Sequence, residues 1–367
     1  MKPPRLTVLS AATVLGVTAL APAAAEGRHP GQDGPAELAL TLLGRYETGA
    51  FDEGAAEITA HDPDTQRVFT VNAERGTVDV LDISRPAEPR EVAELTTPGA
   101  NSVAVSGGLV AVAQEAADKT APGTVSVFRA TNGRLLETVT VGALPDALAF
   151  TPDGRRIVVV NEGEPSSYCA DAPEGADPEG AVSVITLDRG RGDGTLDGAR
   201  VRTADFRAWN GREDELRALG GRSLSVLDSR GTVVWDSGDD LERLIAERHP
   251  DDFNTDNSEN APDSRSDNKG PEPEGVTVGT VDGTTYAFAG LERVGGVVVH
   301  DLTDPREPRL AGYVNSRDFA GDPETGTAGD LGPEGLTFIP AADSPNGEPL
   351  LVVGNEVSGS TAIYRIG

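Results

Sequence analysis

Pro273-Glu274-Gly275-Val276-Thr277-Val278 returns as Pro333-Glu334-Gly335-Leu336-Thr337-Phe338, and more loosely as Pro145-Asp146-Ala147-Leu148-Ala149-Phe150. Each phrase opens a short apolar run, and a second run follows that ends in an acid: 157–162 to Glu162, 286–292 to Glu292, 350–356 to Glu356. A third run closes each copy, at 181–188, 296–301 and 361–366. Two earlier copies fit the same template, 57–60 with 67–74 and 77–82, then 101–105 with 109–115 and 124–128. The runs are β-branched and bounded by Gly, Pro, Asn or Asp, as strands are. Fourth strands are expected in the linking segments 90–95 and 135–140. Four antiparallel strands per unit, repeating at about 40 residues, is the pattern of a β-propeller. The acids at 74, 115 and 162 lie 41 and 47 residues apart, which agrees, whereas the next gaps, 130 and 64, must hold insertions or degenerate blades. The expected fold is therefore all-β, a propeller of four-stranded antiparallel blades with about five recognisable repeats over 41–367.

The chain has 367 residues, 31 basic and 60 acidic side chains and a formal net charge of -29. So negative a surface repels phosphate backbones and anionic headgroups, which argues against nucleic-acid and membrane-surface binding and favours cationic partners or cations. Gly at 44 and Pro at 26 supply many turns, and the 4% of aromatics leaves a core of Val, Leu, Ile and Ala. Cys169, the single cysteine, excludes an intramolecular disulfide framework and any CxxC site. At the start, Lys2 and Arg5 precede an uncharged stretch, 6–20, and small residues at 21–25. This is the layout of a secretory signal over 1–25, cleaved after Ala23 or Ala25. Residues 26–40 read as a flexible lead-in. The stretch is too short to span a bilayer and no second one follows, so the expected product is a secreted, extracellular monomer with no membrane span.

Between the third and fourth clear copies the pattern loosens. Segments 223–228 and 232–236 flank Ser229-Arg230-Gly231 as a hairpin, and 239–248 reads as a short helix. Residues 251–274 follow, with eight acids in 24 residues and almost no apolar content, and are expected to be a long polar surface loop.

Several phrases carry a resemblance: Asn161-Glu162-Gly163-Glu164-Pro165-Ser166, Arg222-Ser223-Leu224-Ser225, Asp236-Ser237-Gly238-Asp239-Asp240, the run Asp263-Ser264-Arg265-Ser266-Asp267-Asn268-Lys269-Gly270-Pro271-Glu272-Pro273-Glu274-Gly275, Gly290-Leu291-Glu292-Arg293-Val294-Gly295-Gly296 and Gly332-Pro333-Glu334-Gly335-Leu336. Together they resemble the choice-of-anchor I family, secreted or surface β-propellers related to mesenchyme-specific cell surface glycoproteins and similar in repeat style to WD40 and YVTN propellers. The resemblance implies a seven-bladed family fold and, through the alkaline phosphatase or phytase-like label some members carry, a phosphoesterase alternative. This chain departs from the family where 217–220 runs directly into 221–223, a point at which longer members carry further blades; an internal deletion is expected there.

First strands of propeller blades line a central channel, so acids at equivalent strand ends gather about one axis. The recurring acids form two rows: Glu57, Asp146, Glu274 and Glu334 at the first strand, and Glu74, Glu115, Glu162, Glu292 and Glu356 at the end of the second. Converging carboxylates repel one another unless a hard cation sits among them. Ca2+, which takes six to eight oxygens in irregular cages, is the expected occupant; Mg2+ is stricter, and the lack of His and Cys clusters argues against zinc. The alternative is that these acids cap strands or pair with Arg293. In the acidic loop, Asp256, Asn257, Asp263, Asp267 and Asn268 offer oxygens without EF-hand spacing, and 188–198 lacks the acids an EF-hand needs at its third and fifth positions. Arg265, Lys269 and Arg293 are the nearest basic groups and the expected clamps for a phosphate ester. No G-x-S-x-G, H-E-x-x-H, P-loop or dinucleotide fingerprint occurs; His29, His61, His249 and His300 are scattered, and Trp209 and Trp235 read as packing residues. No catalytic residue is assigned. The expected function is a secreted binding or surface-interaction module, stabilised by Ca2+, for a cationic or small-molecule ligand; the alternative is a Ca2+-dependent phosphoric ester hydrolase.

Overall fold

The computed structural model describes residues 38–166, 177–190, 194–205 and 222–367. The expected signal segment, Cys169, Trp209 and the deletion point near 217–223, apart from Arg222 and Ser223, lie outside the described residues. In chain order the strands are β1 (Leu40–Glu47), β2 (Thr59–Asp62), β3 (Arg67–Asn72), β4 (Thr77–Asp82), β5 (Arg90–Thr96), β6 (Ala100–Ser106), β7 (Leu109–Gln114), β8 (Pro122–Arg129) and β9 (Leu135–Ala143). They continue as β10 (Pro145–Phe150), β11 (Arg156–Asn161), β12 (Ala181–Arg189), β13 (Leu196–Asp205), the hairpin β14 (Ser225–Leu227) and β15 (Val233–Asp236), and helix α1 (Asp240–Arg248). The last are β16 (Pro273–Val281), β17 (Thr284–Leu291), β18 (Val297–Asp301), β19 (Arg309–Val314), β20 (Pro333–Ile339), β21 (Leu350–Asn355) and β22 (Ser360–Ile366).

These strands make five four-stranded antiparallel sheets, the blade unit of a β-propeller: β2 to β5, β6 to β9, β10 to β13, β16 to β19, and β20 to β22 completed by β1. The linking segments do supply the fourth strands, as β5 and β9, and the expected hairpin and helix are present. β1 was not anticipated. The backbone is already engaged at Leu38, whose N–H bonds the Ala311 carbonyl (2.8 Å), so the lead-in gives way to paired backbone before residue 40.

The chain divides into two compact units. Unit 1 holds β6 to β13 and one apolar core, where Leu109, Val127, Ile157 and Ile185 are completely buried. Unit 2 holds the other three blades, the hairpin and α1. Its cores lie between sheets: Phe288 and Leu351 with Tyr364, then Val68 and Leu81 with Leu350 and Ile363. Helix α1 buries Leu241, Leu244 and Ile245, spaced at i, i+3 and i+4 on one face, against Leu291 and Val298. Each such side chain contributes about 1.5–3 kcal/mol through removal from water.

One irregularity recurs. In four blades the register slips by one residue at the start of the first strand: Asn101, Asp146 and Glu334 each sit unpaired between two matched positions, and between Pro273 and Val276 two residues, Glu274 and Gly275, face Gly290 alone. A β-bulge of this kind bends the strand and re-aims a side chain. The bulged residue is the polar or acidic member of the Pro-acid-small motif, which is why that motif opens each copy.

Candidate metal centre

A second bond fixes the acid at the end of the neighbouring strand. The N–H of Glu115, Glu162, Glu292 and Glu356 bonds the carbonyl of Gly99, Leu144, Glu272 and Gly332, each two residues before the bulge, at 2.7 to 2.9 Å. Bulged residue and strand-end acid are thereby held side by side in four blades. In the β2 to β5 blade the equivalent bond runs from Ala73 to Gly54 (2.8 Å), so Ala73 takes the strand-end place and Glu74 lies one residue beyond it, exposed on the turn. The sequence reading set Glu74 in that row as the acid that ends the run 67–74; the buried amides Asn72, Asn161 and Asn355 align the strand ends instead.

In unit 2 the motif glycines let neighbouring backbones touch. A Cβ on Gly275 would collide with the Glu334 carbonyl, and one on Gly335 with the Glu57 carbonyl. Glu57, Glu274, Glu292, Glu334 and Glu356 consequently share one electrostatic neighbourhood. Burial raises the Glu334 carboxyl well above its ordinary range, and Glu57, Glu356, Glu274 and Glu292 add to the effect. Burial also raises Glu274, reinforced by a hydrogen bond with Glu292 and by the charges of Glu272 and Glu356. Glu356 rises through burial and Glu292, opposed by Arg293. Glu272, Glu274 and Glu292 each bring a carboxylate oxygen within 4.8 Å of the other two. Glu334 Oε2 is closed off from solvent and has no hydrogen-bond partner among the described residues.

The loop before β16 belongs to this centre. Asn254 and Thr255 are fully buried and Asn257 nearly so, against the expectation of a surface loop. The donors of these side chains find partners in the interior: Asn254 Nδ2 donates to Glu242 and Ser266 (both 3.1 Å), and Thr255 Oγ1 to the Glu259 carbonyl (3.2 Å). Asn257 Nδ2 donates to Glu292 Oε1 at 3.1 Å, which merges the loop and the strand-end acids into a single site. Asp263 lies on the same loop, but its carboxylate accepts from Ser266. Arg317, nearly buried, anchors the loop through Asn260 Oδ1 (2.7 Å) and the Glu259 carbonyl (3.3 Å), and also bonds the Arg293 carbonyl (2.9 Å).

The three expected clamp residues converge, but on a carboxylate of the chain itself. Arg293 Nε donates to Glu272 Oε2 at 2.7 Å, Arg265 to the same oxygen at 3.3 Å, and Lys269 to Oε1. Arg293 also pairs with Glu292 (2.8 Å) and Arg265 with Asp256 (3.5 Å). These six groups balance, three cations against three anions. Glu274, Glu334 and Glu356 adjoin them with no ion pair to a basic group among the described residues. Glu272 was missed as a site residue because it precedes the motif rather than lying in it. Its signal is the backbone: the places two residues ahead of the bulge are Gly99, Leu144, Glu272 and Gly332, all at positive φ, and Glu272 is held at φ 52. Left-handed backbone is natural for Gly and costs a side-chain-bearing residue roughly 1–2 kcal/mol.

Unit 1 carries a smaller version. Burial, then the Glu115 charge, pushes Asp146 up to about 6. Burial raises Glu115 as well, offset by Lys119 and a hydrogen bond from Asn101. Lys119 pairs with Glu164 at 2.7 Å. Glu162 belongs to this unit too. At 188–198, Asp188 pairs with Arg200 (2.9 Å) across β12 and β13. Trp235 packs edge-on against His300 with ring centroids 5.5 Å apart, and His249 against Phe319 at 4.9 Å.

The model of the choice-of-anchor I domain matches residues 57–219 and 214–305, two stretches that meet where the sequence reading sets the missing blades. Gigasin-3a of Magallana gigas is 30% identical over 186 residues, 47% of this chain and 66% of its own length. The mesenchyme-specific cell surface glycoprotein of Strongylocentrotus purpuratus is 33% identical over 103 residues, 24% of this chain and 13% of its own length. The chain thus spans less than two thirds of either relative. Among solved structures, a chain of the mitotic checkpoint complex aligns over 96% of this chain and 98% of its own at 10% identity, with a TM-score of 0.45, too distant to speak to function. The two matched stretches together reach from 57 to 305, most of the described chain, and on that match the chain belongs to the choice-of-anchor I family.

Proposed function

We propose that this chain is an extracellular or cell-surface interaction module whose unit 2 carboxylates bind a hard divalent cation, Ca2+ in preference to Mg2+. The observation that carries the reading is Glu334: a carboxylate oxygen shut away from water with no donor among the described residues, beside Glu57, Glu274, Glu292 and Glu356. A buried acid without a partner is costly unless it is protonated or meets a cation. The donor set is all oxygen, which suits a hard ion. Opposite ligands around Ca2+ stand about 4.8 Å apart and around Mg2+ about 4.2 Å. Oxygens of Glu272, Glu274 and Glu292 lie within 4.8 Å of one another, close enough to ligate one ion. Asn257 would orient Glu292, and Arg293 would hold Glu292 on the side away from the ion.

The surface role is supported by the family and by a relative described as a cell surface glycoprotein, together with the signal-like start of the sequence. No described helix is long and apolar enough to cross a membrane. The phosphoesterase alternative is less favoured because Arg265, Lys269 and Arg293 already spend their charge on Glu272, Glu292 and Asp256. Titration calorimetry of chelator-treated protein with Ca2+ and Mg2+, run beside an aryl phosphate assay, tests the reading. Tight Ca2+ binding lost in Glu334→Gln, with no turnover, is expected. Absence of Ca2+ binding removes the cation site, and Ca2+-dependent turnover makes the chain an enzyme.

A further inference from the structure

Glu272 stands out as the charged side chain at a place where three other blades carry glycine and the fourth carries Leu144. The equivalent backbone positions are Gly99 and Gly332 in two other blades and Gly54 in a third, all at positive φ, and Glu272 adopts φ 52 with its carboxylate nearly inaccessible. Three basic groups meet that carboxylate, two on Oε2 and Lys269 on Oε1, and their own side chains are only 11 to 15% exposed. A preformed, partly desolvated fork of two guanidiniums and an ammonium is a carboxylate-recognition device. The fold does not need it for chain geometry, since glycine serves the same backbone turn elsewhere.

We propose that Arg265, Lys269 and Arg293 form a receptor for a single carboxylate, which Glu272 occupies in the resting chain and vacates when the adjoining cation site fills. The second half rests on the cation reading above. The coupling follows from Coulomb's law. Glu272 belongs to both groups, the basic fork and the cluster with Glu274 and Glu292. A divalent ion entering there draws the Glu272 oxygens and adds two positive charges beside Arg293. With Glu272 drawn to the ion, three cations face two anions, Glu292 and Asp256, and one incoming carboxylate restores the balance of the fork. The ligand class is a lone carboxylate, an acidic side chain or a chain terminus, because the net charge of -29 opposes the approach of polyanions. By linkage, a carboxylate must strengthen cation binding by the same factor that the cation strengthens carboxylate binding.

Acetate at constant ionic strength is the probe, with chloride as its control. Glu272→Gly empties the fork while keeping a backbone that sister blades use, so acetate should raise its thermal midpoint saturably and chloride should not. In the unaltered protein, acetate should tighten Ca2+ binding by about fivefold, with no effect on the metal-free form. Equal responses of Glu272→Gly to acetate and chloride overturn the receptor. A receptor that works in Glu272→Gly, combined with Ca2+ binding in the unaltered protein that acetate leaves unmoved, overturns the release of Glu272. Should Ca2+ not bind at all, the cation reading and the release fall together, while the Glu272→Gly result still decides the receptor.

Discussion

Units 1 and 2 share one blade plan and differ in what surrounds their acids. In both, a bulge presents a polar or acidic residue and a backbone bond sets a glutamate beside it. In unit 1 this yields Asp146 near Glu115, with Lys119 as the neighbouring cation, about one third exposed. In unit 2 the same plan, plus the segment before β16, yields a buried basic fork and a group of carboxylates that the fork does not neutralise. The blade supplies the positions of the acids; the inserted loop adds the basic groups that face them.

The comparison breaks first on Arg293. Its replacement by Met leaves Glu272 and Glu292 short of a nearly buried cation and should cost about 3–5 kcal/mol in urea unfolding, whereas Lys119→Met in unit 1 should cost less than about 1 kcal/mol. Equal losses would mean that the fork is no more structural than a surface pair. Gly275→Ala comes next, at roughly 3 kcal/mol, because the added carbon must push the Glu334 backbone away. Unit 1 already carries Ala147 in the same motif place, so Ala147→Gly should cost only about 0.5–1 kcal/mol, the flexibility of an extra glycine.

Ca2+ at a hundredfold excess over its Kd should stabilise the protein by about 2.7 kcal/mol, read as a rise in Tm. Glu274→Gln should abolish that gain and Asp146→Asn should leave it intact; the reverse pattern would move the cation to unit 1. The smallest effect is one of pH. Asp146 has its folded value raised to about 6 from 3.8, so its contribution to stability is fully present below about 4 and fades as the pH rises through 6. Asp146→Asn should therefore stabilise by roughly 2 kcal/mol at pH 8 and by nothing measurable at pH 4, compared by urea midpoints.

The repeat of Pro, acid and a small residue made the blades and most of the acids legible before any coordinates. It works because each residue of the motif answers a separate physical demand: Pro to start a strand, the acid at a bulge, Gly where two backbones touch. Four things stayed hidden. Glu74 reads like a member of the row, yet a shift of one residue sends it to the turn. β1 has no motif of its own, because its partner β22 lies at the far end of the chain. Glu272 has an unremarkable sequence context, and only its backbone angle and its three basic neighbours distinguish it. The loop 251–274 looked solvated by composition, and composition cannot report that Asn254, Thr255 and Asn257 turn inward to donate to Glu242, Ser266, the Glu259 carbonyl and Glu292.

The pairing of β1 with β22 joins residues 40–47 to 360–366. During synthesis, then, the sheet that carries Glu334 and Glu356 stays unfinished until residue 366 has emerged, while the described strands of unit 1, all lying between 100 and 205, can close as they appear. Bringing such distant segments together is slow relative to local hairpins. Birth order alone would leave the acid-rich half waiting, with an open sheet edge, for the final seven residues of its last strand.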